Sequence, residues 1–389
     1  MNAAPPVAVI GAGAMGSGIA QVAVTAGHTV HVVDTVPGVA QRACDGIAQA
    51  LVKRAKQGRM DGQDAAAAAA RLRPGTSVDE LAPCLLVVEA IAESLPAKRA
   101  LFSQLGRTQG PATLLGTNTS SLGIDEIAMA AAHPERVLGL HFFNPAHVMR
   151  LVEVVRGTAT SESVLDTACE MMRGWGKTAV RCASTPGFIV NRVARPFYGE
   201  AQRMVEEGVA DPATIDAALR TAGFPMGPFE LTDLIGQDIN LTVGTSVWER
   251  TGHDPRYAPT KLQQDLVAAG HLGRKTGRGI YQYAEDGSVI GATPDPGRVA
   301  ELVDGPVATN PVARTVAMLV NEAVDLVARG EASAEDVDRA MILGTRYPKG
   351  PIAWGREVGY AVIRRQLEQL DQAFPGGRYR PSPALQEAP

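Results

Sequence analysis

Val7-Ala-Val-Ile-Gly11-Ala-Gly13-Ala-Met-Gly16-Ser-Gly18 is the stretch on which the fold turns, and an Ala/Val/Ile-rich run carries it on to Ala26. It reads as a buried strand, a glycine-rich turn and the start of a helix. Gly27-His28 closes that helix, and Thr29-Val-His-Val-Val-Asp34 follows as a second strand ending in a carboxylate. Every glycine of the turn has a mechanical role. Gly11 permits the tight bend, Gly13 lets backbone approach a pyrophosphate, and Gly16 lets helix and strand pack closely. The helix start at Ala14 and Met15 supplies unpaired N–H groups and a partial positive charge. Asp34 is placed to accept hydrogen bonds from ribose hydroxyls and to repel a 2′-phosphate. Thr35-Val36-Pro37 offers no arginine to receive such a phosphate, so the cofactor is expected to be NAD rather than NADP, held by Gly11, Gly13, Ala14, Met15, Gly16 and Asp34.

Working outward, strands that are apolar on both faces are expected at Leu85–Val88, Thr113–Gly116, Val137–His141 and Leu151–Val155. Helices covering both sides of a parallel sheet explain such runs. Residues 40–73 carry Lys53, Arg54, Lys56 and Arg59 and an unbroken Ala65–Ala70. They read as a helical pair split at Gly62 and projecting from the sheet. At Thr185-Pro186-Gly187 the pattern changes to helices alone. The fold class is therefore an α/β Rossmann-type dinucleotide-binding domain followed by all-α C-terminal domains. Expected boundaries are 1–185 for the nucleotide domain and 186–283 for a helical domain. A Pro- and Gly-rich linker at 284–310 and a further helical segment at 311–389 complete the chain. That last segment repeats the earlier one: Glu200, Gly208 and Asp216 recur as Glu322, Gly330 and Asp338, and Gly227-Pro228 as Gly350-Pro351. It reads as a degenerate second copy with a loose tail after Pro375.

Composition agrees with a globular chain. Its 389 residues suggest more than one domain, and a net charge of -4 with 45% hydrophobic residues excludes a nucleic-acid-coating or disordered protein. The longest apolar stretch, Leu81 to Ala92, is interrupted by Glu89 and is too short to span a bilayer. No secretory signal is evident, and four scattered cysteines without a Cys-x-x-Cys pair fit a reduced, cytoplasmic setting. His28, His133, His147, His253 and His271 show no metal-ligand spacing, so no metal is expected.

Chemistry is suggested by His141-Phe-Phe-Asn-Pro, which ends one strand, and by Leu151-Val-Glu153-Val-Val, which opens the next after a short turn. The two strands can bring His141 and Glu153 side by side, where a carboxylate fixes the imidazole tautomer that a general base needs. By spacing alone, a base and a satisfied core histidine are equally good readings of His141.

Five motifs, in order, decide between them. Gly11 to Asp34, Asn118-Thr-Ser120-Ser-Leu, the His141 and Glu153 segments, Thr185-Pro-Gly-Phe-Ile-Val-Asn191-Arg and Pro225-Met-Gly-Pro-Phe together resemble the L-3-hydroxyacyl-CoA dehydrogenase family. The resemblance covers Val7 to Tyr283. It implies that His141 is the catalytic base paired with Glu153, and that Ser120 and Asn191 are active-site residues. It also implies that Glu93, Lys98 and Asn118 attend the NAD. The substrate it implies is an acyl-CoA thioester, with the site formed at the cleft between domains. The basic residues at 53–59 then suit either CoA phosphates or a solvated face. A dehydrogenase of a free hydroxy acid or sugar acid, and a non-catalytic NAD-binding protein, are the competing readings. The chain starts close to its first strand, so one of the large multifunctional β-oxidation chains is not expected. Single-copy members dimerise through the helical domain, so the repeat favours a monomer with an internal pseudo-dimer over a homodimer.

Overall fold

The computed structural model describes residues 4–386, and the chain divides between Thr185 and Pro186 into two compact units. In the first unit the elements are β1 (Ala4–Ile10), α1 (Ala14–Thr25), β2 (His28–Val33), α2 (Val39–Lys56), α3 (Gly62–Ala69) and β3 (Leu72–Gly75), then β4 (Leu86–Glu89), α4 (Leu95–Thr108), β5 (Leu114–Thr117), α5 (Ile124–Ala128), β6 (Val137–Phe142), β7 (Leu151–Arg156), α6 (Glu162–Gly174) and β8 (Thr178–Ala183). They form one sheet in the order β3-β2-β1-β4-β5-β6-β7-β8. Strands β1 to β6 are paired in parallel, β7 runs antiparallel to β6, and β8 is parallel to β7. From β1 the chain winds to one side and then, with β4, to the other. That reversal leaves a crevice at the carboxyl end of β1, where open α/β sheets bind ligands.

Val7, Val9, Val30, Val32, Leu86 and Val88 pack against Ile19, Ala20 and Ala23 of α1 in one buried core. The helical pair α2 and α3 does split near Gly62, but it does not project. Leu51, Ala65 and Ala68 join that same core beside Leu72, because the apolar face of an alanine-rich helix needs a partner. Two strands lie outside the sequence expectation. The first, β3, is only four residues long and contains Pro74 and Gly75; the second, β8, buries only Val180 and Cys182, so neither carries the doubly apolar signature.

The second unit is helical: α7 (Val190–Val193), α8 (Arg195–Glu206), α9 (Pro212–Thr221), α10 (Pro228–Ile235), α11 (Gln237–Arg250), α12 (Lys261–Ala268), α13 (Pro296–Asp304), α14 (Pro311–Ala328), α15 (Ala334–Thr345), α16 (Pro351–Val358) and α17 (Tyr360–Ala373). Helices α14–α17 follow the same order as α8–α11. Asp216 accepts the Phe229 and Glu230 amides at the start of α10, and Asp338 accepts the Ile352 and Ala353 amides at the start of α16. Contacts between the two sets are exchanged: Arg192 pairs with Glu322, and Arg314 pairs with Glu200 at 2.9 Å. Such reciprocity is the mark of an isologous interface.

Two expectations are corrected here. The segment 284–310 is no bare linker, since β10 (Val289–Ile290) pairs with β9 (Gln282–Tyr283) and α13 packs on α9. Nor is the tail after Pro375 loose. Arg378 donates to Glu200 at 2.6 Å, Tyr379 Oη donates to the same carboxylate at 2.7 Å, and Ser382 bonds Asn321 and Asp325. Buried charge, not apolar periodicity, docks this segment, which is why its composition gave no sign of order.

Candidate active site

Sheet register builds the centre of the site. Because β6 and β7 are antiparallel, His141 stands directly opposite Glu153. Both side chains are buried, and His141 Nδ1 lies 2.6 Å from Glu153 Oε2. A carboxylate on Nδ1 holds the ring's orientation and favours the tautomer with its proton on that nitrogen. Beside it the Phe143 ring is 4.5 Å from the imidazole, centroid to centroid.

The loop after β5 is tied to this pair. Asn118 Oδ1 accepts the Phe142 amide at 2.8 Å, so the Asn-Thr-Ser-Ser segment is anchored one residue from His141. Glu93 organises the rest: its Oε1 accepts the Thr119 hydroxyl at 2.6 Å, the Ser121 hydroxyl at 2.8 Å and the amides of Ser120 and Ser121. Burial pushes the Glu93 carboxyl up, but the Thr119 hydroxyl and the Lys98 ammonium outweigh it and hold the group below its ordinary range. Of the two serines, Ser121 is thus committed to Glu93, whereas the Ser120 hydroxyl has no partner among the described residues.

Lys98 is sealed in the interior. Its ammonium lies 2.6 Å from Glu89 and 3.3 Å from Glu93, so it acts on the loop through these carboxylates. Glu89, in turn, accepts the Thr117 hydroxyl at 2.6 Å. Sequence reasoning does not find Glu89 and Thr117; the only signal is a carboxylate interrupting an otherwise apolar strand.

At the crevice beside β1 the residues fit a dinucleotide. No side chain caps α1, so the amides of its first turn, from Ala14 to Gly16, face outward without helical acceptors. A β-carbon on Gly13 would meet nothing within 4 Å, which leaves this backbone open to close approach by a phosphate. Asp34 is held at the mouth by the amides of Ala12 and Val36, each donating at 2.9 Å. NAD, by its pyrophosphate and adenosine ribose, matches this donor set.

A cleft of about 530 Å³ is lined by Arg54, His147, Arg150 and Lys177 with Trp175, and by no carboxylate. Of the basic residues on α2 only Arg54 reaches it. Burial, then Arg54 and Lys177, lowers the His147 imidazole below its usual range.

Asn191 belongs to the second unit, on α7, where its carboxamide has no partner among the described residues. No group of three or more potential metal ligands occurs among the described residues, and no helix there is long and apolar enough to cross a membrane.

Residues 6–185 match the family described as 3-hydroxyacyl-CoA dehydrogenase, NAD binding domain, and residues 187–283 and 311–388 each match its C-terminal domain. The 3-hydroxyadipyl-CoA dehydrogenase of Escherichia coli (strain K12) is 43% identical over 98% of this chain and 96% of its own length. A probable 3-hydroxybutyryl-CoA dehydrogenase of Bacillus subtilis (strain 168) is 41% identical, covering 71% of this chain and 96% of itself. Among solved structures, 3-hydroxybutyryl-CoA dehydrogenase from Escherichia coli K12 superposes with a TM-score of 0.90 at 41% identity, over 98% of this chain and 97% of that one.

Proposed function

We infer the reaction from a plain premise: this chain belongs to the 3-hydroxyacyl-CoA dehydrogenase family and is an NAD-dependent oxidoreductase of 3-hydroxyacyl-CoA thioesters. It interconverts an (S)-3-hydroxyacyl-CoA and the corresponding 3-oxoacyl-CoA. The observation that carries the assignment of roles is the buried His141–Glu153 pair at 2.6 Å.

His141 Nε2 takes the proton of the 3-hydroxyl group as the carbon–oxygen bond becomes a carbonyl. Glu153 orients the ring through Nδ1 and stabilises the imidazolium that forms. NAD, when bound, supplies the hydride acceptor for the C3 hydrogen. The Ser120 hydroxyl and the Asn191 carboxamide, neither with a partner among the described residues, hold the oxygen atoms of the substrate. Holding reactants in register is itself a large part of the rate enhancement. Glu93, positioned by Lys98, fixes the loop that presents Asn118 and Ser120. The cationic cleft with Arg54, Arg150 and Lys177 suits the phosphates of CoA.

The exchanged pairs Arg192–Glu322 and Arg314–Glu200 support a monomer in which the repeated helices stand in for a dimer partner. Four free cysteines support a reducing, cytoplasmic setting.

The test is an NADH absorbance assay with 3-hydroxybutyryl-CoA, 3-hydroxyadipyl-CoA and free 3-hydroxybutyrate. Turnover of a thioester with none of the free acid is expected. Turnover of the free acid alone would move the protein to the hydroxy-acid relatives.

A further inference from the structure

We propose that a phosphate in the cationic cleft of the first unit raises turnover as well as affinity: it neutralises Lys177 and so locks the loop that joins His141 to Glu153. This rests on the reading that the cleft takes the phosphates of CoA, and it makes Lys177 a positioning residue for the base.

The loop runs from Phe143 to Arg150, between the end of β6 and the start of β7, so it links the base to its carboxylate. At its near end the Phe143 ring lies against the imidazole. Its middle is a tight turn, in which the amides of Val148 and Met149 both donate to the Pro145 carbonyl, at 2.9 and 3.0 Å. Two further carbonyls of that turn, those of Ala146 and Met149, accept from Lys177 Nζ at 2.5 and 2.7 Å. The same turn is pressed onto the helix of the dinucleotide site, since a β-carbon on Gly18 of α1 would lie 3.0 Å from Cβ of Ala146. Lys177 and α1 therefore grip one loop, and that grip bears on where the imidazole stands.

Lys177 is only 8% exposed, yet it has no carboxylate partner among the described residues. Lys98, buried in the same unit, has two. Arg136 is also buried without a carboxylate, but the carbonyls of Gly106, Gln109, Gly110 and Thr113 wrap its guanidinium. An ammonium has three donors. Lys177 uses two on the loop, and the third has no acceptor among the described residues. Burial pulls the group below its ordinary range, because a desolvated charge without a counter-charge is costly.

The cleft that Lys177 lines adds Arg54, His147, Arg150 and the ring of Trp175, and no carboxylate. Its volume of about 530 Å³ is that of a small-ligand site, and a phosphate matches its donors in charge. His147 belongs to the gripped loop itself, so cleft and base share one short segment of chain. A phosphate beside Lys177 keeps the ammonium charged. A charged donor holds the Ala146 and Met149 carbonyls more tightly than a neutral amine does. Binding energy from a part of the substrate remote from the reacting carbon is in this way expressed in turnover.

The experiment compares 3-hydroxybutyryl-CoA with 3-hydroxybutyryl-pantetheine, which carries no phosphate, on the full chain at saturating NAD. In the wild type kcat for the pantetheine thioester is expected to be about 10- to 100-fold lower, the range for loss of a charge-assisted contact. Added adenosine 3′,5′-bisphosphate is expected to raise it saturably. Lys177→Met is expected to lower kcat for the CoA thioester to the pantetheine level and to abolish that activation. Equal kcat values for the two thioesters in the wild type, with a difference in KM alone, overturn the proposal without any variant. The premise is tested separately: Arg54→Ala with Arg150→Ala is expected to raise KM for the CoA thioester at least about tenfold. An unmoved KM there places the phosphates elsewhere and overturns the proposal through its premise. Failure of the dehydrogenase reading is a third, distinct result, a wild type that reduces no NAD with either thioester.

Discussion

A β-carbon placed on Gly16 would lie 1.7 Å from the carbonyl oxygen of Gly11. The first turn of α1 is therefore pressed onto the backbone of the loop that precedes it, and only a hydrogen fits between them. Gly11 itself sits at φ 96, a conformation that side chains other than glycine rarely adopt. The close contact aims the α1 amides at the crevice, so geometry and cofactor affinity are coupled at these two residues. Gly16→Ala is expected to weaken NADH at least about tenfold and to lower stability by about 1–3 kcal/mol, the usual range for overpacking. Fluorescence titration and thermal melts check both; wild-type values in the two would show that the contact relaxes freely.

His141→Gln keeps a polar side chain on β6 but removes the base. Its kcat is expected to fall at least about a hundredfold while NADH binding stays close to the wild type. Turnover within tenfold of the wild type ends the assignment of His141.

Asp34→Ala removes an acceptor for the ribose hydroxyls together with the charge that repels a 2′-phosphate. The NADH-to-NADPH ratio of kcat/KM is expected to drop at least about tenfold. Should the ratio stand unchanged, Asp34 does not face the ribose.

Glu200 gives a pH signature. Burial pushes its carboxyl up, but Arg378, Arg314 and the Tyr379 hydroxyl outweigh that and depress it from 4.5 to about 2. A carboxyl depressed on folding adds stability that is fully present above pH 4.5 and is lost as pH falls toward about 2. Urea midpoints of the wild type should decline over that window. Glu200→Gln should be destabilised by about 3 kcal/mol at neutral pH, since it leaves buried arginines uncompensated, and should show a flatter decline in acid. Parallel pH slopes in the two proteins would count against this account.

Cutting the chain after Tyr283 removes α14, which packs on α8, and bares the side of α8 that carries buried Phe197, Ala201 and Met204. Light scattering should find the shortened chain dimeric or aggregated and the full chain monomeric. A soluble, active monomer of the shortened chain contradicts the internal pseudo-dimer.

What the sequence determined by itself is whatever depends on short-range pattern. The glycine spacing from Gly11 to Gly16 with Asp34 beyond it, and the doubly apolar strands β4, β5, β6 and β7, are local signals, and each is written within one element or one turn. Repetition of Glu200, Asp216 and Gly227-Pro228 as Glu322, Asp338 and Gly350-Pro351 is legible for the same reason. Tertiary structure alone decided the rest. The reversal of β7 against β6 puts Glu153 opposite His141, and strand direction is not encoded in apolar periodicity. Docking of Arg378 and Tyr379 on Glu200 joins charged and polar residues far apart in the chain, and burial of Glu89 with Lys98 joins the end of β4 to the following helix α4. A charge declares its role only when its partner, or the lack of one, is known, because the energy lies in the pairing and the desolvation rather than in the residue.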